Sequence, residues 1–417
     1  MNRENLIEQL NHKRKSKRLS ALKNLKKLEK KDATLIPKIR EYDTNVHIHS
    51  FYSFSPYSPS KAAYMAYKSG LITMGLIDHD TLSGAKEFLK ACNTLNRAGT
   101  TGFECRVHFL PESGEMTINN PIQKNHAYIT VYGVPVNSFK KINEFLINLR
   151  EKRNIRNKKM TDIINENYKD DNIVLNYEKD ILPLSKQKEG GSVTERHLLY
   201  ALGLKLIKKF GKGQALIDFL VKKGYQLDEM QPFLLEKDNP YYEYDLLTVL
   251  KGKLKTFYIA ATDECADIKE LVSFANNLGA ITAFPYNGLS NNNNEEDDLV
   301  ELFRQLKNIG INAVSYSPTK ITKEQLVKIS NLCNYYEFFE INGEDINSPR
   351  QKFDNLELTK KEFSHLTDSS WAIIGHEKMA NLNINNGMFT EKAISRSPKL
   401  KDRIQLYAEI GKNLYKE

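Results

Sequence analysis

Residues 45–80 read NVHIHSFYSFSPYSPSKAAYMAYKSGLITMGLIDHD, and this stretch indicates the fold class. NVHIHS alternates apolar and polar residues, as a half-buried strand does. The segment SPSKAAYMAYKSG is typical of a helix, with serines near its start and Gly70 at its end. LITMGLIDHD is a second short apolar strand that ends in polar residues. Strand, helix and strand in succession predict a parallel β/α unit.

The alternation continues through the helix GAKEFLKACNTLN and the strands TTGFECRVHF and NHAYITVYGVP. A long stretch of helical periodicity follows, and then the strand-like segments GINAVSY, YYEFFEING and WAIIGHE. We therefore predict an α/β protein in four segments: a basic helical extension at 1–40, the first part of a barrel at 41–135, a helical insertion at 136–256, and the second part of the barrel with C-terminal helices at 257–417.

The net charge of +9 is confined to the first forty residues. That segment holds 13 Lys and Arg against 4 Asp and Glu, which leaves 48 residues of each sign in the remainder of the chain. Because residues 41–417 carry no net charge, they are not expected to bind duplex DNA. We interpret residues 4–31 as one solvated helix, with contact to phosphates or a membrane surface as the alternative.

Composition narrows the class of protein further. No apolar run is long enough for a transmembrane helix, and the basic N-terminus lacks the apolar core of a secretory signal. The four cysteines form no CxxC motif, which favours free thiols in a reducing compartment, and we expect a cytoplasmic protein without a membrane partner. They are Cys92, Cys105, Cys265 and Cys333.

Metal-ligating residue types recur at or just past the predicted strand ends, the edge at which α/β barrels assemble their sites. Residues i and i+2 of a strand share a face, so two histidines of HIHS can reach one ion. Imidazoles and carboxylates suit zinc, manganese or iron. A lone HxH is a chance pair about as often as a site, but six candidates at successive strand ends predict one. They are His47, His49, His79, Glu104, His126 and Asp345.

The sequence resembles the polymerase and histidinol phosphatase (PHP) superfamily in four features: HIHS, DHD some thirty residues later, a glutamate that follows a glycine, and a later histidine on a strand. The resemblance covers residues 42–135 and 257–350, and it implies a distorted (β/α)7 barrel that carries two or three metal ions and hydrolyses phosphoesters. It is closest to a branch with a helical insertion that acts on nucleotides or short oligonucleotides. ERHLLYAL resembles a site segment of that insertion, which implies catalytic roles for Arg196 and His197. LREKRNIRNKKM resembles the arginine-bearing helix before it.

Three positions depart from the family pattern. Phe54 stands where an aspartate is expected, Phe284 where a histidine is expected, and Asn347 where the last histidine is expected. These departures put a third ion in doubt, and we expect two divalent ions (Mn, Zn or Fe). His376 and Glu377 are possible substitute ligands, with a structural role for His376 favoured.

Several of these residues also have a structural interpretation. Arg196 could pair with an acid on a helix surface, and His197 could be a half-buried structural histidine. Asp78 could hold the loop around His79, and the basic helix 150–159 more often presents a solvated face than a nucleic-acid contact.

The sequence supports a phosphoesterase that uses a metal-bound hydroxide on a small phosphorylated metabolite, a nucleotide or a short oligonucleotide. A degenerate PHP-like protein that only binds metal or ligand is the alternative, motivated by the three departures. An amidohydrolase is disfavoured, because those barrels need a metal-bridging lysine and the matching position here is Glu104.

Overall fold

A twisted, parallel-rich sheet curls into a nearly closed barrel in the computed structural model, which describes residues 2–112, 114–287 and 296–416. Its strands are β1 (Arg40–Ile48), β2 (Leu71–His79), β3 (Ala98–His108), β4 (His126–Tyr132), β5 (Ala266–Asp267), β6 (Ile281–Tyr286), β7 (Ala313–Tyr316) and β8 (Phe339–Asn342). Seven of them follow one another in the order β1-β2-β3-β4-β6-β7-β8, and the two-residue β5 pairs with β3. The predicted fold class, an α/β distorted barrel with seven strands, is confirmed.

Backbone hydrogen bonds between the first strand and the segment after β8 bring the two ends of the sheet together. The His49 amide donates to the Ile346 carbonyl at 2.9 Å, and the Ile346 amide donates to the His47 carbonyl at 3.1 Å. This contact places residues that lie almost 300 positions apart in sequence at one edge of the barrel.

One strand runs against the predicted parallel arrangement. β4 is antiparallel to both β3 and β6. The connection from His108 to His126 contains no helix in its described part, and a parallel pair needs a long crossover, usually a helix. The start of β4 therefore lies at the edge where its neighbours end.

Helices cover the sheet and form the regions on either side of it. They are α1 (Arg3–Gln9), α2 (Lys15–Lys31), α3 (Pro59–Lys68), α4 (Ala85–Leu95), α5 (Phe139–Asn167), α6 (Glu195–Phe210), α7 (Gln214–Lys222), α8 (Gln231–Leu235), α9 (Tyr242–Lys251), α10 (Ile268–Asn277), α11 (Glu296–Ile309), α12 (Lys323–Tyr336), α13 (His365–Leu382), α14 (Glu391–Arg396) and α15 (Leu400–Lys416). None of the described helices combines the length and the apolar character that crossing a bilayer requires.

Between β4 and β5 the chain forms a helical region with an apolar core of its own. Buried side chains of α5, α6, α7 and α9 pack together there, among them Ile164, Leu202, Leu220 and Leu246. Phe54, from the loop after β1, belongs to the same core, so the insertion is docked on the barrel through that loop.

The N-terminal extension is packed onto the barrel, which corrects the interpretation of a single solvated helix. The helix is interrupted between α1 and α2. Leu10 and Leu22 are fully buried against the layer of α3 and α4. Arg18 is also buried and donates to both carboxylate oxygens of Glu87 on α4, at 2.8 and 2.5 Å. The lysines that give the segment its charge occupy the opposite, solvated face.

The segment WAIIGHE is helical, and its prediction as a strand was wrong. It lies within α13, which is buried along most of its length between the barrel and α15. A helix buried all round shows no polar face, so a short apolar run does not distinguish it from a buried strand. Gly375 allows the close approach of α15, since a Cβ there would lie 2.0 Å from the Tyr407 carbonyl oxygen.

Candidate metal centre

Five of the six predicted ligands converge at the carboxyl edge of the barrel. His47 and His49 come from the end of β1, His79 ends β2, Glu104 lies on β3, and Asp345 follows β8. Cross-strand register brings His79 directly beside Glu104, and the contact between β1 and Ile346 brings Asp345 beside the two β1 histidines.

The five side chains form two triads that share one histidine. His47, His49 and Asp345 form one, and His49, His79 and Glu104 form the other; within each triad the candidate ligand atoms lie within 4.8 Å of one another. His49 Nε2 is 3.2 Å from Asp345 Oδ1, and His79 Nδ1 is 3.2 Å from Glu104 Oε2. This spacing and donor set fit a divalent cation.

Neighbouring polar groups orient these ligands. The Tyr132 hydroxyl lies 2.9 Å from Nδ1 of His47, and the amide of Asn347 donates to both carboxylate oxygens of Asp345, at 2.8 and 2.7 Å. Asn347, one of the three departures, therefore supports a ligand. Such outer contacts fix ring and carboxylate orientation at metal sites.

The loop after β1 sets the tautomer of His49. Ser53 Oγ donates to the buried carboxylate of Asp78 at 2.8 Å, and the same oxygen lies 3.3 Å from His49 Nδ1. With its proton given to Asp78, the Ser53 oxygen accepts from Nδ1, which leaves Nε2 as the free nitrogen. His49 Nε2 is buried and faces Asp345 Oδ1; burial opposes charge on the ring, but the Asp345 carboxylate outweighs it and raises the pKa of His49, so a bound cation would take the place of the proton between them.

Burial shapes the charge of the cluster. It lowers the pKa of His47 to about 3, and burial together with the neighbouring His49 lowers the pKa of His79 well below its usual value, so both rings are neutral and able to bind a cation. Burial raises the pKa of Glu104 to about 7. Burial opposes charge on Asp345 too, but His49 outweighs it and holds the pKa of that carboxyl well below its usual range.

A cavity of about 250 Å³ opens onto this cluster. His47, His79, Glu104 and Asp345 line it. The other lining side chains are polar, aromatic or cationic: Arg106, Asn119, Tyr128, Arg153, Thr194, Glu195, Arg196, Asn287, Ser315 and Tyr316, with Pro121, Pro285 and Gly343. The cavity thus carries metal-ligand chemistry on one part of its wall and guanidinium groups on another.

Arg196, at the start of α6, differs from the other cavity arginines. It is half-buried and makes neither a hydrogen bond nor an ion pair with any described residue. The alternative reading of a helix-surface ion pair therefore fails, and an unpaired guanidinium that faces a cavity is suited to an anion.

Three further arginines form a buried network with acids at the junction of barrel and insertion. Arg153 pairs with Asp80, while Arg156 and Arg106 both donate to Glu195, at 2.5 and 2.9 Å. Arg153 and Arg156 belong to the predicted basic helix, which we expected to present a solvated face. The two arginines are three residues apart on the helix, so both lie on its inward face. The net charge of the helix does not reveal this orientation.

His126 lies apart from the cluster, so its assignment as a ligand is corrected. Glu104 pairs with Thr130 across the sheet, and His126 lies four residues before Thr130, at the start of β4, about 13 Å away at the usual rise of a strand. His126 Nδ1 donates to the Lys124 carbonyl at 2.9 Å, and its ring packs edge-to-face on His108. The β4 residues that contact the site include Tyr132, which hydrogen-bonds His47, and Thr130, which donates to Glu104, and no ligand pattern marks either of them.

His197 is a structural residue, which corrects its proposed catalytic role. Its Nδ1 accepts from the Thr194 amide at 2.9 Å as part of a capping box that begins α6. The ring packs edge-to-face on Phe54 with a centroid distance of 5.0 Å, and burial lowers its pKa to about 3.

The remaining uncertain positions are also structural. Phe284 points into the core between the sheet and the helices, and His376 donates to the Gly279 carbonyl and accepts from the Met388 amide, both at 2.9 Å. Glu377 accepts from Thr100 and Thr101 instead of lying near the cluster. None of these residues belongs to either metal-ligand triad among the described residues.

Solved structures with the same fold are known. A protein from Bifidobacterium adolescentis, described as a "putative metal-dependent phosphoesterase", aligns with a TM-score of 0.51 and 14% identity over 76% of this chain and 94% of its own. An amidohydrolase from Chromobacterium violaceum, solved with bound sulfate and no metal, aligns with a TM-score of 0.50 and 14% identity over 74% of this chain and 89% of its own.

At this identity the likeness establishes the barrel fold alone. No protein-family model matches the sequence, and no curated protein matches it either.

Proposed function

We propose that this protein is a metal-dependent phosphoesterase acting on a small phosphorylated metabolite, a nucleotide or the end of a short oligonucleotide. The observation that carries the proposal is the position of Arg196, an unpaired cation that lines the same cavity as four of the five candidate metal ligands. A phosphoryl group presents several charged oxygens and is suited to a site that offers metal ions and a forked guanidinium together.

A divalent cation bound by these side chains supplies Lewis-acid stabilisation of phosphoryl oxygens and lowers the pKa of bound water. The donors fit such an ion, since three imidazoles and two carboxylates are a set that manganese, zinc and iron accept. Only one nitrogen of His49 is free, although both triads use this residue. We therefore propose one ion held by three side chains and a second, weaker ion held by the two that remain.

Arg196 is proposed to bind non-bridging phosphate oxygens and so to orient the substrate against the metal ligands. Its guanidinium needs no release from an existing partner before it does so. Arg106 and Arg153 line the same cavity, but both are already compensated by acids and contribute shape and background charge. The cavity volume of about 250 Å³ suits one phosphate with a small attached group.

The proposal is tested with the full-length protein, stripped of metal and then titrated with Mn²⁺ or Zn²⁺. Bound metal is quantified by elemental analysis, and phosphate release is followed over a panel of phosphomonoesters, nucleotides and short oligonucleotides. We expect metal-dependent release from at least one class and none in the chelated protein. Stoichiometric metal without turnover on any member of the panel would instead favour the degenerate metal-binding protein.

A further inference from the structure

The loop that carries His49 is held from two sides. We define the His49 loop as residues 49–58, between β1 and α3. Asp78 fixes its first turn by accepting from the amide and hydroxyl of Ser50, at 2.7 and 2.6 Å, and from the hydroxyl of Ser53 at 2.8 Å. The Phe51 amide donates to the Tyr57 carbonyl at 2.8 Å, so the two halves of the loop move together.

The helical insertion contacts the middle of the His49 loop. The Ser192 amide donates to the Tyr52 carbonyl at 2.7 Å, and Phe54 packs against His197. This side is the docking contact of the insertion with the barrel.

The N-terminal extension contacts the other side of the loop. The side-chain amide of Asn11 donates to the Pro56 carbonyl and its oxygen accepts from the Ser58 amide, both at 2.8 Å. The Ser58 hydroxyl donates to the Leu10 carbonyl at 2.5 Å. The side chain of Asn11 therefore forms hydrogen bonds with two backbone groups at the end of the loop.

Arg18 adds a second attachment from α2. Its guanidinium lies over the Phe51 ring, 5.1 Å from the centroid, while it pairs with Glu87. Glu87 in turn accepts from the hydroxyl of Ser60 at 2.7 Å, in the first turn of α3. The extension thus contacts the loop at Phe51, Pro56 and Ser58.

We infer that the N-terminal extension positions the His49 side chain for metal binding, with Asn11 as the positioning residue that fixes the end of its loop. The connection runs from Asn11 to residues 56–58, through the Tyr57–Phe51 hydrogen bond to Ser50 and Ser53, and from Ser53 to His49 Nδ1. The inference rests on the proposed function, because it requires that His49 bind a metal ion.

Asn11 is exposed, so its truncation removes the two loop contacts without opening a core. The test measures the Mn²⁺ dissociation constant of the full chain by calorimetry for Asn11→Ala, with thermal unfolding of the metal-free protein measured in parallel. Asn5→Ala is the matched control, since Asn5 lies on α1 and its exposed side chain makes no contact with the loop.

We expect Asn11→Ala to weaken Mn²⁺ binding at least fivefold, and Asn5→Ala to change it less than twofold. Asn11→Asp keeps the acceptor for Ser58 but sets a carboxylate oxygen against the Pro56 carbonyl, so it should also bind Mn²⁺ more weakly than wild type; this comparison is used if Asn11→Ala is not recovered folded. Unchanged affinity in Asn11→Ala, or an equal loss in Asn5→Ala, would overturn the inference alone. A wild-type protein that binds no metal would overturn the proposed function and this inference together.

Discussion

At the scale of single residues, the cluster depends on how each donor is oriented rather than on how many donors are present. Asn347 and Tyr132 are not ligands, yet one holds both oxygens of Asp345 and the other holds His47. Phe54 stands at a position where a metal ligand was expected, and it instead makes a hydrophobic contact with the insertion.

Arg196→Ala is expected to raise KM for a phosphomonoester substrate by about 10- to 100-fold, because one charge-assisted contact to phosphate is lost. Steady-state kinetics of the metal-loaded variant measures this change. The thermal unfolding temperature should stay within a degree or two of wild type, since Arg196 has no described partner to lose. A KM equal to that of wild type would remove Arg196 from the site.

The sequence predicted five of the converging residues because each lies at the end of a strand that was itself recognisable. His126 satisfied the same rule but could not be placed correctly, because the antiparallel direction and the register of β4 depend on pairing that no local pattern reports. His197 was misassigned for a similar reason, since its role follows from the capping of α6 and from contact with Phe54.

At the scale of elements, α13 carries a carboxylate whose ionisation is opposed by burial. Glu377 is buried on this helix and accepts from the Thr100 hydroxyl and the Thr101 amide, at 2.6 and 3.0 Å. Burial raises the pKa of Glu377 to about 7. Its contribution to stability is therefore full at low pH and is lost as pH rises through that value.

Glu377→Gln is expected to gain about 2–3 kcal/mol of unfolding free energy relative to wild type between pH 4.5 and pH 8, since the variant carries no buried charge at high pH. Urea unfolding at a series of pH values measures the difference. Glu409→Gln, an exposed glutamate on α15, is the matched control and should show no such trend. A pH-independent difference for Glu377→Gln would contradict the raised pKa.

The pairing of α2 with α4 gives a second test at this scale. Arg18→Met leaves Glu87 buried without its cation and should cost about 3–5 kcal/mol of unfolding free energy. The double variant with Glu87→Gln should recover part of that loss, and Lys17→Met, on the exposed face of the same helix, should be close to neutral. Equal stabilities of Arg18→Met and Lys17→Met would mean that α2 is not docked as described.

Helices α3 and α4 and strands β2 and β3 followed from local pattern and were predicted close to their observed bounds, whereas β1 begins at Arg40, before the predicted start at Asn45. The break between α1 and α2 was missed, although residues 11–18, NHKRKSKR, separate two apolar clusters and contain no apolar residue themselves. The helical state of residues 371–377 was missed because burial on all sides removes the polar face that marks a helix.

At the scale of the whole molecule, three separately packed regions meet at the His49 loop. The barrel supplies the candidate ligands, the insertion contacts the loop through Phe54, and the extension contacts its end through Asn11. The α/β barrel was predictable from the alternation of strands and helices. The contact between β1 and Ile346 was not predictable, because it joins segments almost 300 residues apart and depends on the curvature of the complete sheet.

Metal binding should stabilise the whole fold, because the triads draw on β1, β2, β3 and the segment after β8 together. A cation at one hundred times its dissociation constant adds about 2.7 kcal/mol to the unfolding free energy when it binds only the folded chain. Thermal unfolding with and without Mn²⁺ should therefore show a rise in midpoint that a chelator reverses. Asp345→Asn, which loses a ligand charge, should show a smaller rise or none.

We propose that the five converging residues form a phosphoester-hydrolysing metal site and that His126 lies outside it. This proposal is tested by kcat/KM for metal-dependent phosphate release by wild type, Glu104→Gln and His126→Gln, measured on the same substrate at saturating Mn²⁺. We expect Glu104→Gln to lose about three orders of magnitude or more, as removal of a group that acts at the reacting centre does, and His126→Gln to stay within about threefold of wild type. Turnover that survives in Glu104→Gln, or that disappears in His126→Gln, would contradict the account.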